Sequence, residues 1–475
     1  MTQEKAGIQY RMESDSIGTK EVPADAYYGV QSLRAAENFP MTGMQMHPEL
    51  IRSLAQLKKA CAATNLAAGT LTKTVADAIM QACDLIYSGK FHDQFIVDPI
   101  QGGAGTSNNM NANEVIANVA IELLGGKKGD YSIVHPNDHV NCGQSTNDVH
   151  PTAGKMTAIA MLKPLMVSLQ RLYDSLLAKA KEFDGIIKMG RTQLEDAVPV
   201  RLGQEFNAYA TAVKRGMDRI AEAEKEMHVI NMGGTAIGTG LNADREYYSK
   251  ITGTLSEITG DTYIQADDMI DATMHIDSFA AVSGALRTCA VAISKIANDL
   301  RILSSGPKTG LGEITLPPMQ NGSSIMPGKV NPVIPEVVNQ AAFLVVGNDV
   351  TISMATEGGQ MELNAFEPVT FYCLFQSIDV LRNAIDTLVK NCITGIVANE
   401  EHCKALLDSS VGTVTALCPH IGYAKSAKLA KEALAKGTPI KKLLLEDGVL
   451  TADQLEKVMD PMEMTTPGIA GKDLL

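Results

Sequence analysis

The sequence predicts a mainly α fold built around a bundle of long helices, and three observations support this. Between about residue 145 and residue 400, apolar residues recur every three or four positions over long segments, which is the helical period. Strand-like and helix-like segments do not alternate, so a parallel α/β sheet is not expected. Alanine-rich stretches, such as 278–293 and 341–346, allow helices to approach one another closely.

The first long segment, 152–184, shows the helical period most fully. Met156, Ile159 and Leu162 begin an apolar stripe that continues to Ala180. Pro164 lies inside the segment, where we expect a kink rather than an end of the helix. Helices of this length cannot bury their apolar stripes in a small domain, so we expect a bundle that also packs against other subunits. Further segments with the same period are 202–229, 275–304, about 333–356 and about 368–395.

The chain divides into three parts by pattern. Residues 1–144 mix short helical patterns with loops and form a predicted N-terminal domain. Residues 145–401 contain the long segments and form a central helical bundle domain. Residues 402–475 return to short amphipathic segments separated by Gly and Pro, and form a small C-terminal helical domain.

Composition and charge exclude several classes of function. Of the residues, 45% are hydrophobic and 20% are charged, which is typical of a globular chain and not of a disordered one. The net charge of −13 argues against coating nucleic acid or an anionic membrane, so neither is expected as a partner. The eight cysteines include no C-x-x-C pair, and the first residues are polar, without the apolar segment of a signal peptide. We therefore expect a cytoplasmic protein.

Four polar stretches interrupt the helical pattern and are rich in hydroxyl groups, amides and glycine. The N–H groups at the start of a helix suit carboxylate ligands. The alternative is that these residues are only caps and turns, but four such stretches make that interpretation less favourable. Neither glycine-rich stretch 233–240 nor 322–330 has the spacing of a nucleotide-binding motif. The four stretches are 102–109 (GGAGTSNN), 135–148 (HPNDHVNCGQSTND), 190–196 (GRTQLED) and 322–332 (GSSIMPGKVNP).

The fourth stretch is the most specific and predicts a mobile loop. Its glycines permit movement, while its prolines limit the conformations that the loop adopts. Two serines offer hydroxyl groups for proton transfer or carboxylate binding, and a lysine offers an opposing charge. Such a loop is suited to close over a substrate as a lid, although a surface linker would have a similar composition. The predicted lid consists of Gly322, Ser323, Ser324, Ile325, Met326, Pro327, Gly328, Lys329, Val330 and Asn331.

These motifs resemble those of the aspartase/fumarase superfamily of lyases. GSSIMPGKVNP is similar to the signature loop of that family, and DAYYGVQSLRAAENF at 25–39, GAGTS, NMNANEV, STND and GRTQLEDAVP are similar to further blocks in the same order. The resemblance extends from residue 25 to about residue 370. It implies a homotetramer with a shared core of long helices, in which each active site is formed by three subunits.

The resemblance also implies a chemistry, namely cleavage of a C–N or C–O bond in a succinyl-type substrate with release of fumarate. Ser323 is then the base that removes the Cβ proton and gives an enediolate-like intermediate. Asn147 and Thr192 are expected near the leaving amino group. The residues expected to hold the carboxylates are Thr106, Ser145, Thr146, Ser324, Lys329 and Asn331.

One residue favours a particular leaving group on physical grounds. The fumarase pattern has His at the position of Gln193. Hydroxide needs a proton donor in order to leave, which His can be and Gln cannot, whereas a protonated amine leaves as ammonia without one. Gln193 therefore favours loss of ammonia over loss of water. The NPVIPE run that ends at Glu336 also resembles the ammonia-lyase branch rather than the fumarases, and this resemblance implies reversible deamination of L-aspartate. No organic cofactor is expected.

Three alternatives stay open at this point. The first is a class II fumarase acting on L-malate. The second is a catalytically silent helical scaffold, and the third is a lyase for a bulkier succinyl substrate. Activation by a divalent cation is possible in this family, but the spacing of His135, Asp138 and His139 is a weak metal signal. We interpret both histidines as turn and cap residues.

Overall fold

The computed structural model describes residues 9–446, 448 and 450–475, and it confirms a mainly α fold. The helices are α1 Val30–Asn38, α2 Pro48–Ala67, α3 Lys73–Tyr87, α4 Thr106–Leu123, α5 Thr146–Glu182, α6 Leu202–Glu224, α7 Arg245–Thr259, α8 Asp271–Met274, α9 Asp277–Leu303, α10 Val333–Glu357, α11 Glu367–Asn391, α12 Glu400–Ser409, α13 Cys418–Ile421, α14 Tyr423–Lys436, α15 Ile440–Glu446 and α16 Ala452–Val458. The strands are β1 Tyr10–Asp15, β2 Gly18–Pro23, β3 Ile187–Thr192, β4 Glu195–Arg201, β5 Val229–Ile230, β6 Ile264–Gln265, β7 Ile314–Thr315 and β8 Val397–Ala398.

The five long helices α5, α6, α9, α10 and α11 correspond to the five predicted segments. Helix α5 has 37 residues and contains both Pro151 and Pro164, so the helix continues past Pro164 as predicted. A bend at this proline stays a prediction. The buried residues of α5 include Ile159, Leu162 and Leu169, which belong to the apolar stripe read from the sequence.

The strands form two-stranded ladders that the helical period did not predict. Strands β1 and β2 pair antiparallel, as do β3 and β4, and as do β7 and β8, whereas β5 and β6 pair parallel. The β3–β4 hairpin has a register irregularity between Met189 and Arg191. At this point Gly190 lies close to the opposite strand, because a Cβ there would be 2.7 Å from the Val198 carbonyl oxygen.

The chain folds into two compact units. The first comprises Met1–Met166, Asp218–Thr288 and Phe343–Leu381. The second comprises Val167–Met217, Cys289–Ala342 and Arg382–Leu475. The predicted boundaries at 144/145 and 401/402 divide the chain into sequential parts, whereas each of these units consists of three separate segments. The three-part division stays a prediction.

In the first unit, α2 packs on α3 and α7, and α3 packs on α4. Helix α4 is buried continuously from Asn108 to Ile121, although its first half is rich in asparagine. Buried amides require hydrogen-bond partners, so α4 is fixed by specific polar contacts as well as by apolar packing.

In the second unit, the β3–β4 hairpin packs against α12. The last part of the chain forms a small helical cluster, in agreement with its short amphipathic segments. Its buried residues include Leu417, Leu429, Leu444, Leu455 and Val458.

Two helices are long and apolar enough to cross a membrane by length and composition alone, namely α9 and α10. Half of the apolar window of α9 and 44% of that of α10 are buried inside the structure, and core helices pass the same test. The remaining surface of α10 carries exposed apolar side chains, including Phe343 at 66% and Met354 at 70% exposure. An exposed apolar face is typical of an interaction surface.

Candidate active site

The first unit brings together the amino ends of α4 and α5, which carry four of the predicted site residues. Thr106 is the first residue of α4, is exposed, and donates its hydroxyl hydrogen to the Gly103 carbonyl oxygen at 2.8 Å. Thr146 is the first residue of α5, and its Oγ1 accepts a hydrogen bond from Asn109 Nδ2 at 3.1 Å. Asn109 therefore connects the two helix ends.

Ser145 caps the amino end of α5. The Ser145 N–H donates to Asp148 Oδ1 at 2.9 Å, and the Ser145 Oγ accepts from the Asn147 N–H at 3.2 Å. The cap interpretation of Ser145 is therefore locally correct. Because the hydroxyl oxygen is used only as an acceptor among the described residues, its hydrogen is available to a ligand.

Asp148 is fully buried beneath this helix end. Its Oδ2 accepts hydrogen bonds from the backbone N–H groups of Gly233 and Thr235, both at 3.1 Å. The glycine-rich stretch 233–240 thus holds a carboxylate of the protein itself, in agreement with the exclusion of a nucleotide site. Burial raises the pKa of Asp148 to about 6, against the opposing effect of the three N–H donors.

A buried lysine supports the same region. Lys58 of α2 is fully buried and donates to Asn141 Oδ1 at 2.9 Å and to Gln144 Oε1 at 2.8 Å. Asn109 and Asn113 of α4 also donate to Asn141 Oδ1, at 3.2 Å and 3.1 Å. Burial lowers the pKa of Lys58 to about 8. Three donors therefore meet at one amide oxygen directly before the STND block.

Asn147 faces the start of the glycine-rich stretch. Its Nδ2 donates to the Ala236 carbonyl oxygen at 2.7 Å, and its own carbonyl oxygen accepts from Asn231 Nδ2 at 3.0 Å. The side-chain oxygen of Asn147 has no donor among the described residues, so it can accept a hydrogen bond from an ammonium group.

In the second unit, Thr192 and Gln193 lie at the tip of the β3–β4 hairpin and are exposed. Gln193 has φ 56° and Leu194 has φ 66°, so both central residues of the turn are left-handed. Hairpin turns of this type normally use Asn and Gly, because other side chains are strained there. Such strain is common at functional positions.

A buried charge cluster lies behind this turn. Glu313 is fully buried, and its carboxylate contacts Arg191 Nη1 at 2.7 Å and Lys188 Nζ at 3.2 Å. Lys188 also contacts Glu205 at 2.9 Å. Arg191 directly precedes Thr192, so the cluster anchors the base of the turn.

Two hydrogen bonds join the two ends of the predicted lid, which lies in the second unit. The Gly322 N–H donates to the Lys329 carbonyl oxygen at 2.9 Å, and Asn331 Nδ2 donates to the Gly322 carbonyl oxygen at 2.8 Å. A Cβ at Gly322 would lie 2.1 Å from the Lys329 oxygen, so only glycine allows this approach.

Within the lid, Ser323 is an acceptor. Its Oγ accepts hydrogen bonds from the backbone N–H groups of Ile325 at 3.2 Å and Met326 at 2.9 Å. Ser324 and Lys329 are exposed. Glu336 follows in the first turn of α10, with Oε1 3.9 Å from Arg301 Nη2.

The structure thus places the predicted site residues in two groups. Thr106, Ser145, Thr146 and Asn147 belong to the first unit, in which polar contacts join the ends of α4 and α5. The second unit contains the remaining residues, namely Thr192, Gln193, Ser323, Ser324, Lys329, Asn331 and Glu336. The role of each residue in the reaction stays a prediction.

The histidines of the second polar stretch serve as turn residues, as interpreted from the sequence. His135 Nδ1 accepts from the Asn137 and Asp138 N–H groups at 3.2 Å and 3.1 Å, and His139 Nδ1 accepts from the His135 N–H at 2.9 Å. Over residues 9–446, 448 and 450–475, no group of three or more His, Cys, Asp or Glu side chains is arranged to hold a metal ion.

Comparison with known proteins identifies the family. The model of the family described as "Lyase" matches residues 18–347, and that described as "Fumarase C C-terminus" matches residues 414–466. An aspartate ammonia-lyase from a Bacillus species is 54% identical over 97% of this chain and 99% of its own. The chain belongs to the aspartase/fumarase superfamily of lyases.

Solved structures of this superfamily share the fold throughout. A fumarate lyase:delta crystallin from Brucella melitensis, solved bound to cobalt, is 48% identical and superposes with a TM-score of 0.94 over 97% of this chain and 100% of that one. A class II fumarase from Schistosoma mansoni is 34% identical, with a TM-score of 0.94 over the same shares. The superfamily resemblance read from the motifs is therefore confirmed.

Three residues near the site were missed by sequence reasoning, namely Lys58, Asn141 and Glu313. Lys58 lies on an otherwise apolar helical face and Glu313 lies in a short loop, so neither has a distinguishing local pattern. Asn141 lies within the second polar stretch, but nothing in the sequence indicates that three donors meet at its side chain.

Proposed function

We propose that the chain catalyses the reversible deamination of L-aspartate to fumarate and ammonia. The observation that carries the proposal is the near-complete coverage of an aspartate ammonia-lyase at 54% identity. The two groups of hydroxyl and amide donors agree with it, because a small dicarboxylate needs several donors and only a few charges.

In the proposed mechanism, Ser323 removes a proton from Cβ of the substrate. A serine hydroxyl is a poor base, so the site must favour its alkoxide. The N–H groups of Ile325 and Met326 already point at Oγ, at 3.2 Å and 2.9 Å, and would stabilise a negative charge there. The electron pair of the broken C–H bond then passes into the adjacent carboxylate and gives an enediolate-like intermediate.

The second step is loss of the amine. The intermediate re-forms its carboxylate, a Cα–Cβ double bond forms, and the C–N bond breaks to release ammonia, which keeps the protons of the ammonium group. Thr106, Ser145, Thr146, Ser324, Lys329 and Asn331 are proposed to bind the carboxylates. Asn147 and Thr192 are proposed to contact the amino group, with Gln193 and Glu336 in supporting roles. Gln193 cannot donate the proton that a hydroxide leaving group requires.

We further propose a homotetramer in which three subunits contribute to each active site. Its support is the exposed apolar face of α10, on which Phe343, Val350 and Met354 are 66%, 55% and 70% exposed. Side chains of this size are usually covered in an assembly. A cytoplasmic location is supported by eight free cysteines in the described chain, because reducing compartments keep thiols free.

The proposal requires no organic cofactor. Activation by a divalent cation stays a prediction with weak support, because His135 and His139 already accept backbone hydrogen bonds at Nδ1 and only Asp138 of the three candidate ligands does not. A titration of the metal-free enzyme with Mg²⁺ tests this point, and unchanged turnover would contradict it.

The test of the function is the appearance of fumarate by ultraviolet absorbance from L-aspartate and, separately, from L-malate. We expect fumarate from aspartate only. Fumarate from malate only would make the chain a fumarase, and fumarate from neither would favour a bulkier substrate or a silent scaffold.

The test of the base is Ser323→Ala, with Ser324→Ala as its matched control. We expect Ser323→Ala to lower kcat by about 10²–10⁴-fold with unchanged circular dichroism and assembly. Ser324→Ala should mainly raise KM, because it removes a proposed carboxylate donor. Retained turnover in Ser323→Ala would remove this residue as the base.

A further inference from the structure

We propose that His150 is a positioning residue that fixes the substrate-binding loop 102–107, and that Glu367 fixes the tautomer of His150. This inference rests on the proposed function, because it assigns the loop that carries Thr106 to substrate binding. His150 lies one helical turn after Thr146 in α5 and is fully buried.

A continuous chain of buried hydrogen bonds connects α11 to the loop. His150 Nδ1 is 2.6 Å from Glu367 Oε2, and its Nε2 is 3.0 Å from Asn108 Nδ2. Asn108 Oδ1 in turn accepts from Gln101 Nε2 at 2.9 Å. Gln101 and Asn108 are the residues directly before and after the loop, so the chain ends on both of its borders.

The direction of each hydrogen bond follows from one backbone group. The Asn108 N–H can only donate, and it contacts Gln101 Oε1 at 3.1 Å, which orients the Gln101 amide. Gln101 Nε2 therefore donates to Asn108 Oδ1, and the Asn108 NH₂ group donates to His150 Nε2. An accepting Nε2 has no hydrogen, so the hydrogen of the neutral ring is on Nδ1 and points at Glu367.

The ring of His150 is also held on both faces. A Cβ at Gly105 would lie 2.4 Å from three atoms of the ring, so the loop backbone rests directly on one face. Phe371 of α11 stacks on the ring with centroids 4.6 Å apart and an angle of 23°. Gly105 has φ 85° and precedes Thr106, so the position of the ring sets where α4 begins.

The burial of this arrangement favours a role beyond packing. Glu367 is 1% exposed, and its Oε1 has no hydrogen-bond partner among the described residues. Apolar side chains at both positions 150 and 367 would fill the same space without burying a carboxylate, at lower cost in free energy. Burial raises the pKa of Glu367, while the His150 hydrogen bond and the nearby charge of Lys155 oppose this. A buried chain of hydrogen bonds that costs free energy and ends on the proposed substrate-binding loop indicates that His150 positions this loop.

The first test is His150→Phe, which keeps the stacked ring and removes both hydrogen bonds. We expect KM for L-aspartate to rise about tenfold with kcat within threefold of wild type, because the loop binds ground state and transition state alike. A purely structural role would instead lower kcat through loss of active enzyme and leave KM unchanged. Hydrogen exchange of peptides covering 102–107 should become faster, and this readout does not depend on turnover.

The matched control is His47→Phe. His47 also pairs with a carboxylate of α11, with Nε2 3.1 Å from Asp379 Oδ2, and its ring centroid lies 5.7 Å from that of Phe375 at a tilt of 54°. It also caps α2 through Nδ1, so its loss costs stability as well. No hydrogen bond joins His47 to loop 102–107 in the described chain. We expect unchanged KM and unchanged exchange of the loop.

A second variant tests the tautomer directly. In Asn108→Asp, the new carboxylate oxygen and His150 Nε2 are both hydrogen-bond acceptors. They repel each other unless one proton lies between them. We expect KM close to wild type at about pH 6 and a rise of about tenfold by about pH 9, as the shared proton is lost. Because Lys58 of wild type also titrates in this range, the quantity compared is KM of Asn108→Asp divided by KM of wild type at each pH, and this ratio should rise about tenfold.

The outcomes separate this inference from the proposed function. A wild-type enzyme that releases no fumarate from aspartate contradicts the proposed function, while loop exchange still tests His150. An active wild type overturns the inference if KM and loop exchange in His150→Phe match those in His47→Phe. Failure of His150→Phe to fold leaves Asn108→Asp as the deciding variant, and a KM ratio that does not change with pH overturns the inference.

Discussion

Asp148→Asn is predicted to change how the stability of the protein depends on pH. The folded carboxyl has its pKa raised to about 6 from an ordinary 3.8, so the folded state binds more protons than the unfolded state between these values. Stability from this group is therefore highest below pH 3.8, falls as pH rises to 6, and is constant above. At 1.36 kcal/mol for each pH unit, the total loss is about 3 kcal/mol.

The assay is urea unfolding at a fixed protein concentration, at pH 4.5 and at pH 7. About 2 kcal/mol of the total loss falls in this interval for wild type. Asparagine does not titrate, so the free energy of unfolding of the variant minus that of wild type should rise by about 2 kcal/mol from pH 4.5 to pH 7. The absolute offset also contains hydrogen bonds lost at Ser145 or Gly233, but that contribution does not depend on pH.

Asp98→Asn is the matched control with the opposite sign. Burial alone would raise the pKa of Asp98, but hydrogen bonds from Ile100, Thr42 and Gly43 outweigh it and hold the pKa below its ordinary value. This carboxylate contributes stability that is lost as pH falls, so the same difference should fall slightly from pH 4.5 to pH 7. A difference for Asp148→Asn that is constant within about 0.5 kcal/mol would refute the reasoning.

Three further predictions concern stability. The pKa of Lys58 is lowered to about 8 from 10.5, so the folded state binds fewer protons than the unfolded state between these values. The free energy of unfolding of wild type minus that of Lys58→Met, measured by urea unfolding, should therefore rise by about 2 kcal/mol from pH 7 to pH 9.5. Gly154→Ala places a Cβ 2.1 Å from the Phe371 ring and should cost about 1–3 kcal/mol, seen as a lower melting temperature. Gly253→Ala, on the exposed surface of α7 with no atom within 4 Å of the new Cβ, should instead stabilise by about 0.5–1 kcal/mol.

The long helices were predictable because their signal is local and repeated. Helix α5 was expected at 152–184 and is found at Thr146–Glu182, and α9 was expected at 275–304 and is found at Asp277–Leu303. An apolar stripe of eight residues at helical spacing still predicts a helix when one unfavourable residue, such as Pro164, lies within the segment. The β3–β4 hairpin gave no such signal, because its turn has Gln193 and Leu194 where Asn and Gly are usual.

The site was only partly predictable, for a different reason. The family motifs indicate which blocks carry chemistry, but they do not show what supports these blocks. His150 and Glu367 are 217 residues apart, and Lys58 and Asn141 are 83 residues apart. Contacts over such separations depend on the packing of whole helices. The Ser323 turn is the exception, because its donors lie two and three residues further along the chain.

The hydrogen bonds within the predicted lid affect how large a ligand must be to close it. Fixing the backbone of a free ten-residue loop costs about 10–20 kcal/mol in conformational entropy, more than a four-carbon diacid can supply on binding. In this chain the hydrogen bonds at Gly322, Ser323 and Asn331 have already ordered the loop during folding. In the proposed role of this loop as a lid, only the residues on either side would then have to be fixed when it closes. A very small molecule would therefore suffice to move the whole loop as one body.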